Sequence, residues 1–302
     1  MGNGRVQAVG RGGPNVDAGQ ALRAASVAAV ALLLVALGVA LAASSRRQTG
    51  TMALLDHVAD LRRRLLVSVA AVLAGVLVSL GIGLDWVGGW PVPRLALYDS
   101  VSSQLFRAVA ADLVPANVQL VVTTPMDGFS AQFAWSLALG LLLGMPIVLW
   151  QMGGFFAPAL QPREARTLRG AILPSVLLFV AGALFAYLAV VPTALEALYG
   201  FSAALGAAPL LEVGSFSTFV LGFLVGFGFA FQTPIVMVAL SRTGLVAPAT
   251  WRKGWRQATV ILLIAAGMLT PDPTVVSQLL LAGPLLGLYA LGAILARGPK
   301  PV

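Results

Sequence analysis

Residues 213–241 read VGSFSTFVLGFLVGFGFAFQTPIVMVALS, a stretch without one charged side chain. About 20 helical residues cross the roughly 30 Å of hydrocarbon in a bilayer, so this run is long enough to span one. Uncharged runs also occur at 24–45, 65–84, 128–162, 170–195 and 273–296, with a shorter one at 257–271. Of the 302 residues 59% are hydrophobic and 10% charged, against about a quarter charged in a typical soluble domain. The fold class that follows is all-α, a polytopic integral membrane protein.

Working outward from that run, the basic residues set an orientation, because cytoplasmic loops retain Lys and Arg. Arg62, Arg63 and Arg64 precede the run at 65; Arg163, Arg166 and Arg169 follow the run from 128; Arg242, Arg252, Lys253 and Arg256 follow the opening run; Arg297 and Lys300 follow the last. The alternate loops hold Asp85, Asp99, Asp112, Asp127, Glu196, Glu212 and Asp272, with Arg94 and Arg107 alone opposing them. Six spans from residue 65 onward, with both ends of the core cytoplasmic, satisfy this census. The formal charge of +8 is thereby read as loop charge in a lipid bilayer, and nucleic acid is not an expected partner.

Pro146, Gly153 and Gly154 interrupt the run from 128, so its span is placed at about 128–151 with an interfacial loop after it. The segment 257–271 carries about 18 Å of apolar helix at 1.5 Å per residue. It crosses fully only where the bilayer thins, or else forms a re-entrant hairpin turning at TPDP, residues 270–273. Trp86, Trp90, Trp150, Trp251 and Trp255 fall at span edges, and Trp135 falls inside a span. In the large outer loop Leu97, Val101, Leu105, Val109 and Leu113 recur every fourth residue, which predicts an amphipathic helix on the outer surface. No internal repeat is evident.

Residues 1–23 are rich in Gly and Arg and read as disordered; 24–51 form an extra hydrophobic helix with a linker; 52–297 form the six-span core; 298–302 form a cytoplasmic tail. The extra helix ends in small residues, as a signal-peptide cleavage site does. An uncleaved span with its start outside fits the core orientation better, although Arg5, Arg11 and Arg23 then lie on the outer side. Translation starting at Met52 is a third alternative, and the three stay open.

No enzyme site is expected, because the inventory cannot build one. His57 is the sole His, there is no Cys, and no Asp or Glu falls inside a core span. That leaves no intramembrane Ser/His pair, zinc site or carboxylate relay. No catalytic residue, metal or cofactor is expected, and Ser130, Ser175 and Ser215 read as helix caps. What remains is LLDHVADLRRRLL at 54–66, which sets Asp56 and Asp60 four apart on one helix face, and Glu164, the sole acid in the loop FFAPALQPREARTLR at 155–169. From physics alone both read as surface ion pairs. Inside the membrane stands Gln232, a lone amide in FGFAFQTP, residues 227–234.

These stretches, with TTPMDGF at 123–129, LFVAGALFAYLAVVP at 178–192 and TPDPTVVSQLLLAGPLLGLY at 270–289, resemble in order and spacing the TatC family, the integral receptor subunit of the twin-arginine protein translocase. The likeness covers about residues 52–297. It implies a receptor that binds the paired arginines of signal peptides on folded export substrates at the cytoplasmic face of the inner cell membrane. It implies TatA-type and TatB-type single-span partners, a homo-oligomeric receptor complex and transport driven by the proton-motive force. The family's signal-peptide-binding acids fall on Asp60 and Glu164, with Arg62 in the same stretch. A guanidinium offers a planar fork that a carboxylate accepts on two oxygens, whereas Lys offers a point charge.

Gln232 stands where the family carries Glu or Gln in its fourth span, so a polar contact to a partner helix or signal peptide is one expectation. An internal bond to a carbonyl loosened by Pro234 is the other. Departures from the family pattern are Asp127 for Glu, TPDP for TPPD, Ala290 after Tyr289 where an acid is common, and the extra helix. The rival function is a secondary transporter or channel for a small solute, against which the lack of repeats and of intramembrane charge argues.

Overall fold

The structure, a computed structural model, describes residues 54–87, 90–96, 98–115, 118–156, 170–206, 210–269 and 275–296. The expectations for residues 1–51, for Glu164 and for the TPDP turn lie outside those residues.

Helix α1, Leu54–Gly81, is followed at once by an antiparallel hairpin, β1 (Ile82–Val87) with β2 (Trp90–Leu95), in which Ile82 pairs Leu95 and Val87 pairs Trp90. Two prolines in β2 are tolerated because a two-stranded ribbon leaves each strand an unpaired edge. Helix α2, Val101–Leu113, is the predicted amphipathic helix. Its apolar face is turned into the protein: Val109 and Ala110 are buried, and Leu105, Phe106 and Leu113 pack on the core. Strand β3, Gln119–Val121, lies parallel to β4, Leu210–Glu212, and joins the two loops that precede α3 and α6.

Helix α3, Asp127–Phe156, runs through Pro146, Gly153 and Gly154 without stopping, so the span placed at 128–151 is longer than expected. The glycines explain part of this. Gly140 and Gly144 lie against Val72 and Val76 of α1, and Gly75 of α1 lies against Gly140, so the two helices approach with little side chain between them. Gly154 continues the seam where the Arg64 guanidinium lies over it.

Helix α4, Ile172–Phe185, passes through a π-helical turn, Ala186–Val190, into α5, Val191–Ala204. Pro192 cannot donate to the carbonyl four residues back, and a widened turn lies immediately before it. Helices α6, Val213–Ala230, and α7, Thr233–Arg242, are two parts of one apolar rod joined at Phe231 and Gln232. Then come α8 (Pro248–Lys253), α9 (Trp255–Leu269) and α10 (Val275–Leu295).

Among the described residues five helical segments are long and apolar enough to cross a membrane. The sixth expected span, α9, has 15 residues, about 22 Å of helix, and is short as its sequence foretold. The core centres on Trp135, Val190, Val191, Phe216, Val220 and Phe227. Phe106 of α2 stands edge-on to Trp135 at 6.1 Å and to Phe216 at 6.0 Å, which fastens the outer helix to the bundle. Trp135, 1% exposed, escapes the interfacial rule by donating its Nε1 hydrogen to Ser217 Oγ at 3.2 Å.

Candidate functional site

Antiparallel packing of α1 on α3 brings basic residues to one end of the bundle and acids to the other. At the basic end, Asp60 and Arg64 share a face of α1, and Asp60 Oδ2 accepts the Arg64 Nε hydrogen at 2.7 Å with both side chains 19% exposed. The aspartate lies N-terminal to the arginine by four residues, the favourable order for such a pair. Arg62 is exposed on another face. The arrangement presents a half-buried carboxylate with one oxygen engaged, flanked by exposed guanidinium groups. Asp60 and Arg64 are thus one pair, and Arg62 stands apart from it on the same turn.

Gln232 is buried at the joint between α6 and α7, ten residues before Arg242, or about 15 Å from it along the helix. Pro234 has no hydrogen to give Ala230, and the Thr233 hydroxyl takes that carbonyl at 2.6 Å. The Gln232 amide therefore goes elsewhere: its Nε2 donates to the Ser175 carbonyl of α4 at 2.9 Å. The bond is internal, but its acceptor is a neighbouring helix and not the carbonyl Pro234 releases. Ser175, expected as a cap, is buried. Beside this joint Gly182 and Gly228 remove side chains where α4 meets α6; any Cβ at Gly228 would collide with the Phe179 ring. The stretch FGFAFQTP is therefore a helix–helix seam with a polar latch.

Four further polar side chains at the spans, Gln278, Tyr289, Trp251 and Gln151, were not read from the sequence for the contacts they make. Gln278 Nε2 donates to the Leu263 carbonyl at 2.9 Å and ties α10 to α9. The Tyr289 hydroxyl donates to the Trp251 carbonyl at 2.8 Å, and Trp251 Nε1 donates to Ser241 Oγ at 2.9 Å, clasping the basic ends of α10, α8 and α7. Gln151 is 2% exposed and its Nε2 has no partner among the described residues. Each amide was legible by the signal that exposed Gln232, a lone amide in an apolar run.

The acidic end is held by polar contacts. Arg94 spans Asp85, at 2.8 Å, and Asp99, and Arg107 also pairs Asp99. The hydrogen bond from Arg107 is the main reason the Asp99 carboxyl titrates below its ordinary range, with Gln104 and the Arg94 charge adding to it. Asp127 accepts the Thr123 and Thr124 amides at 2.8 and 2.7 Å and so closes the start of α3. Glu212, bound by Ser215 and then Thr123, is likewise lowered.

A model of the family "Sec-independent protein translocase protein (TatC)" matches residues 56–284, three quarters of the chain and all the packed helices described here through Pro284 of α10. The chain belongs to the TatC family. The TatC protein of Cenarchaeum symbiosum (strain A) is 35% identical over 247 residues, covering 80% of this chain and 93% of that protein. That of Deinococcus radiodurans is 34% identical over 244 residues, 81% and 85% of the two chains. The chloroplastic TATC of Pisum sativum is 31% identical over 246 residues, 82% of this chain and 64% of its own length.

Two crystal structures of the twin arginine translocase receptor TatC share the fold. One has TM-score 0.62 and 32% identity, covering 79% of this chain and 97% of that one. The other, in DDM, has TM-score 0.64 and 31% identity, covering 80% and 99%. The TatC assignment makes the chain a multi-pass membrane component of a Sec-independent protein translocase, as its resemblance implied.

Proposed function

We propose that this TatC protein is the receptor for twin-arginine signal peptides, reading the paired arginines with Asp60 and Glu164 at the cytoplasmic face of the inner membrane. The observation that carries the reading is the half-buried Asp60 carboxylate at the basic end of the bundle, already binding one guanidinium, that of Arg64. A carboxylate that binds Arg64 through Nε has the chemistry to bind an incoming arginine, which displaces or shares that contact. Arg62, exposed beside it, limits how many cations approach and helps fix the register of the pair. Each exposed ion pair contributes only about 0–1 kcal/mol, so the apolar part of the signal peptide, lying against the spans, supplies the larger share of affinity.

In this reading both core termini are cytoplasmic, six spans cross, and TatA-type and TatB-type single-span subunits join a homo-oligomeric receptor complex. The receptor binds and positions; the proton-motive force drives transport. The Gln232 amide serves partner contact through the seam it latches, by fixing how α4 meets α6. Membership of the TatC family counts against the solute transporter or channel.

The test is binding of a fluorescent twin-arginine signal peptide to the purified protein in nanodiscs, beside a twin-lysine peptide and the Asp60→Ala, Glu164→Ala double variant. Weaker binding with either change is expected. Equal binding in all three cases would sink the assignment of arginine-reading to these carboxylates.

A further inference from the structure

The acidic end of the bundle carries six carboxylates among the described residues, and four are accounted for. Asp85 and Asp99 neutralise Arg94 and Arg107, Asp127 caps α3, and Glu212 is held by Ser215 and Thr123. The two that remain, Asp112 at the end of α2 and Glu196 in α5, line one cavity of about 350 Å³. Its wall includes Tyr187, Leu188, Leu195 and Tyr199. The Tyr187 hydroxyl donates to the Asp112 carboxylate. The Tyr199 hydroxyl oxygen is buried and has no hydrogen-bond partner among the described residues. Glu196 has no hydrogen-bond or ion-pair partner among the described residues. The cavity therefore holds two negative charges, hydrogen-bond acceptors still to be filled and two aromatic rings, with no cation in its lining.

Depth identifies the occupant. From Ile172, where α4 begins, Tyr187 lies 15 residues along the continuous rod and Glu196 lies 24, about 22 and 36 Å at helical rise. The cavity thus straddles the outer edge of about 30 Å of hydrocarbon. Its lower rim is Leu188, 70% exposed. A site with an acidic upper part and an apolar lower rim fits an amphiphile whose cationic head sits above its chains. Two carboxylates are too few for a dedicated divalent-cation site, and no larger cluster of metal-binding side chains occurs among the described residues.

We propose that this cavity binds the primary ammonium headgroup of a phospholipid in the outer leaflet. An ammonium offers three hydrogens, which matches the three oxygens of Asp112 and Glu196 that Tyr187 leaves unengaged, while the tyrosine rings favour a cation at their faces. A quaternary ammonium has the charge but no hydrogen to give, so N-methylation weakens binding stepwise. The phosphate remains at the wet rim, away from the two carboxylates. The π-helical turn places Tyr187 against Asp112 and so shapes one wall of the site.

The experiment uses the full chain in nanodiscs of fixed anionic-lipid content, the neutral lipid being phosphatidylethanolamine, its mono- and dimethyl derivatives, or phosphatidylcholine. Native mass spectrometry reads retained lipid, and melting temperature is followed in parallel. About tenfold preferential retention of phosphatidylethanolamine over phosphatidylcholine is expected, the scale of one charged hydrogen bond. Methylation should reduce it in steps, and an Asp112→Asn, Glu196→Gln double variant should abolish it. Unchanged signal-peptide binding by these variants checks that they are folded. Equal retention of the two lipids, or a preference that survives the double variant, would overturn the proposal. So would displacement of the lipid by millimolar free ethanolamine, or photo-crosslinking from position 188 to a protein partner in native membranes with no lipid adduct.

Discussion

Replacing Gly140 by Ala adds one methyl group at the place where α1 and α3 come closest. A Cβ built there stands 2.6 Å from Val76 Cγ2 and 2.7 Å from both the Val72 oxygen and the Val76 nitrogen. Carbon contacts are comfortable at about 3.5–4.0 Å, so the helices must separate by about 1 Å. Two of the three obstacles are backbone atoms, and no rotamer change relieves them. Overpacking of this kind costs about 1–3 kcal/mol, while Ala in a helix interior is favoured over Gly by up to about 1 kcal/mol. With the full propensity gain set against it, the net expectation is a loss of about 0–2 kcal/mol.

Gly222→Ala in α6 is the matched control: nothing lies within 4 Å of its Cβ position, so the propensity gain stands unopposed. Thermal unfolding of both variants in the same detergent should place Gly140→Ala below the parent and Gly222→Ala at or above it. Because α1 also carries Asp60, signal-peptide affinity should fall with Gly140→Ala and hold with Gly222→Ala. A Gly140→Ala protein as stable as the control would refute the close-packed seam and the reasoning built on it.

Gln232→Leu removes the donor to Ser175 and should lower stability by about 0.6–2 kcal/mol, read as a drop in melting temperature; no drop would mean that the latch contributes nothing, and export and partner crosslinking that stay normal would deny the amide any role in partner contact. The outer network predicts an acid-sensitive cap. The Asp99 pKa is lowered in the folded state from its ordinary value of 3.8, so the unfolded chain binds the extra proton first. The stabilisation is full above about 4 and is lost as pH falls through the folded value. Melting temperatures followed from pH 7 to 3 should bend downward only below about 4, and Asp99→Asn should flatten that limb; an identical bend in the variant would assign acid sensitivity elsewhere.

How much was legible varies with the range of the interaction. Spans, charge sides and the periodic outer helix are local patterns of hydrophobicity and charge, and they were readable one segment at a time. The hairpin from Ile82 to Leu95 was missed because β1 continues the apolar run of α1, and nothing in that run marks Gly81 as the last helical residue. Helix α3 outran its predicted end: of the glycines that read as breakers, Gly154 is where the Arg64 guanidinium of α1 lies, a contact with no local signature in the sequence. At the candidate site, Asp60 and Arg64 were four apart in sequence, so their pairing was foreseeable; the path of the Gln232 amide to Ser175, 57 residues away, was not.

By itself the sequence determined that this chain lives in a bilayer, which residues mark each face and, through dispersed motifs, which family it belongs to. Those are properties of solvent transfer and of local pattern, and each segment carries its own. The tertiary structure decided which glycines are seams, which amides latch which helix, and that Asp112 and Glu196 share one cavity. Such contacts depend on where segments far apart in the chain come to rest, and a lone Gln or Asp in a sequence says that a partner is needed without saying which one packing will supply.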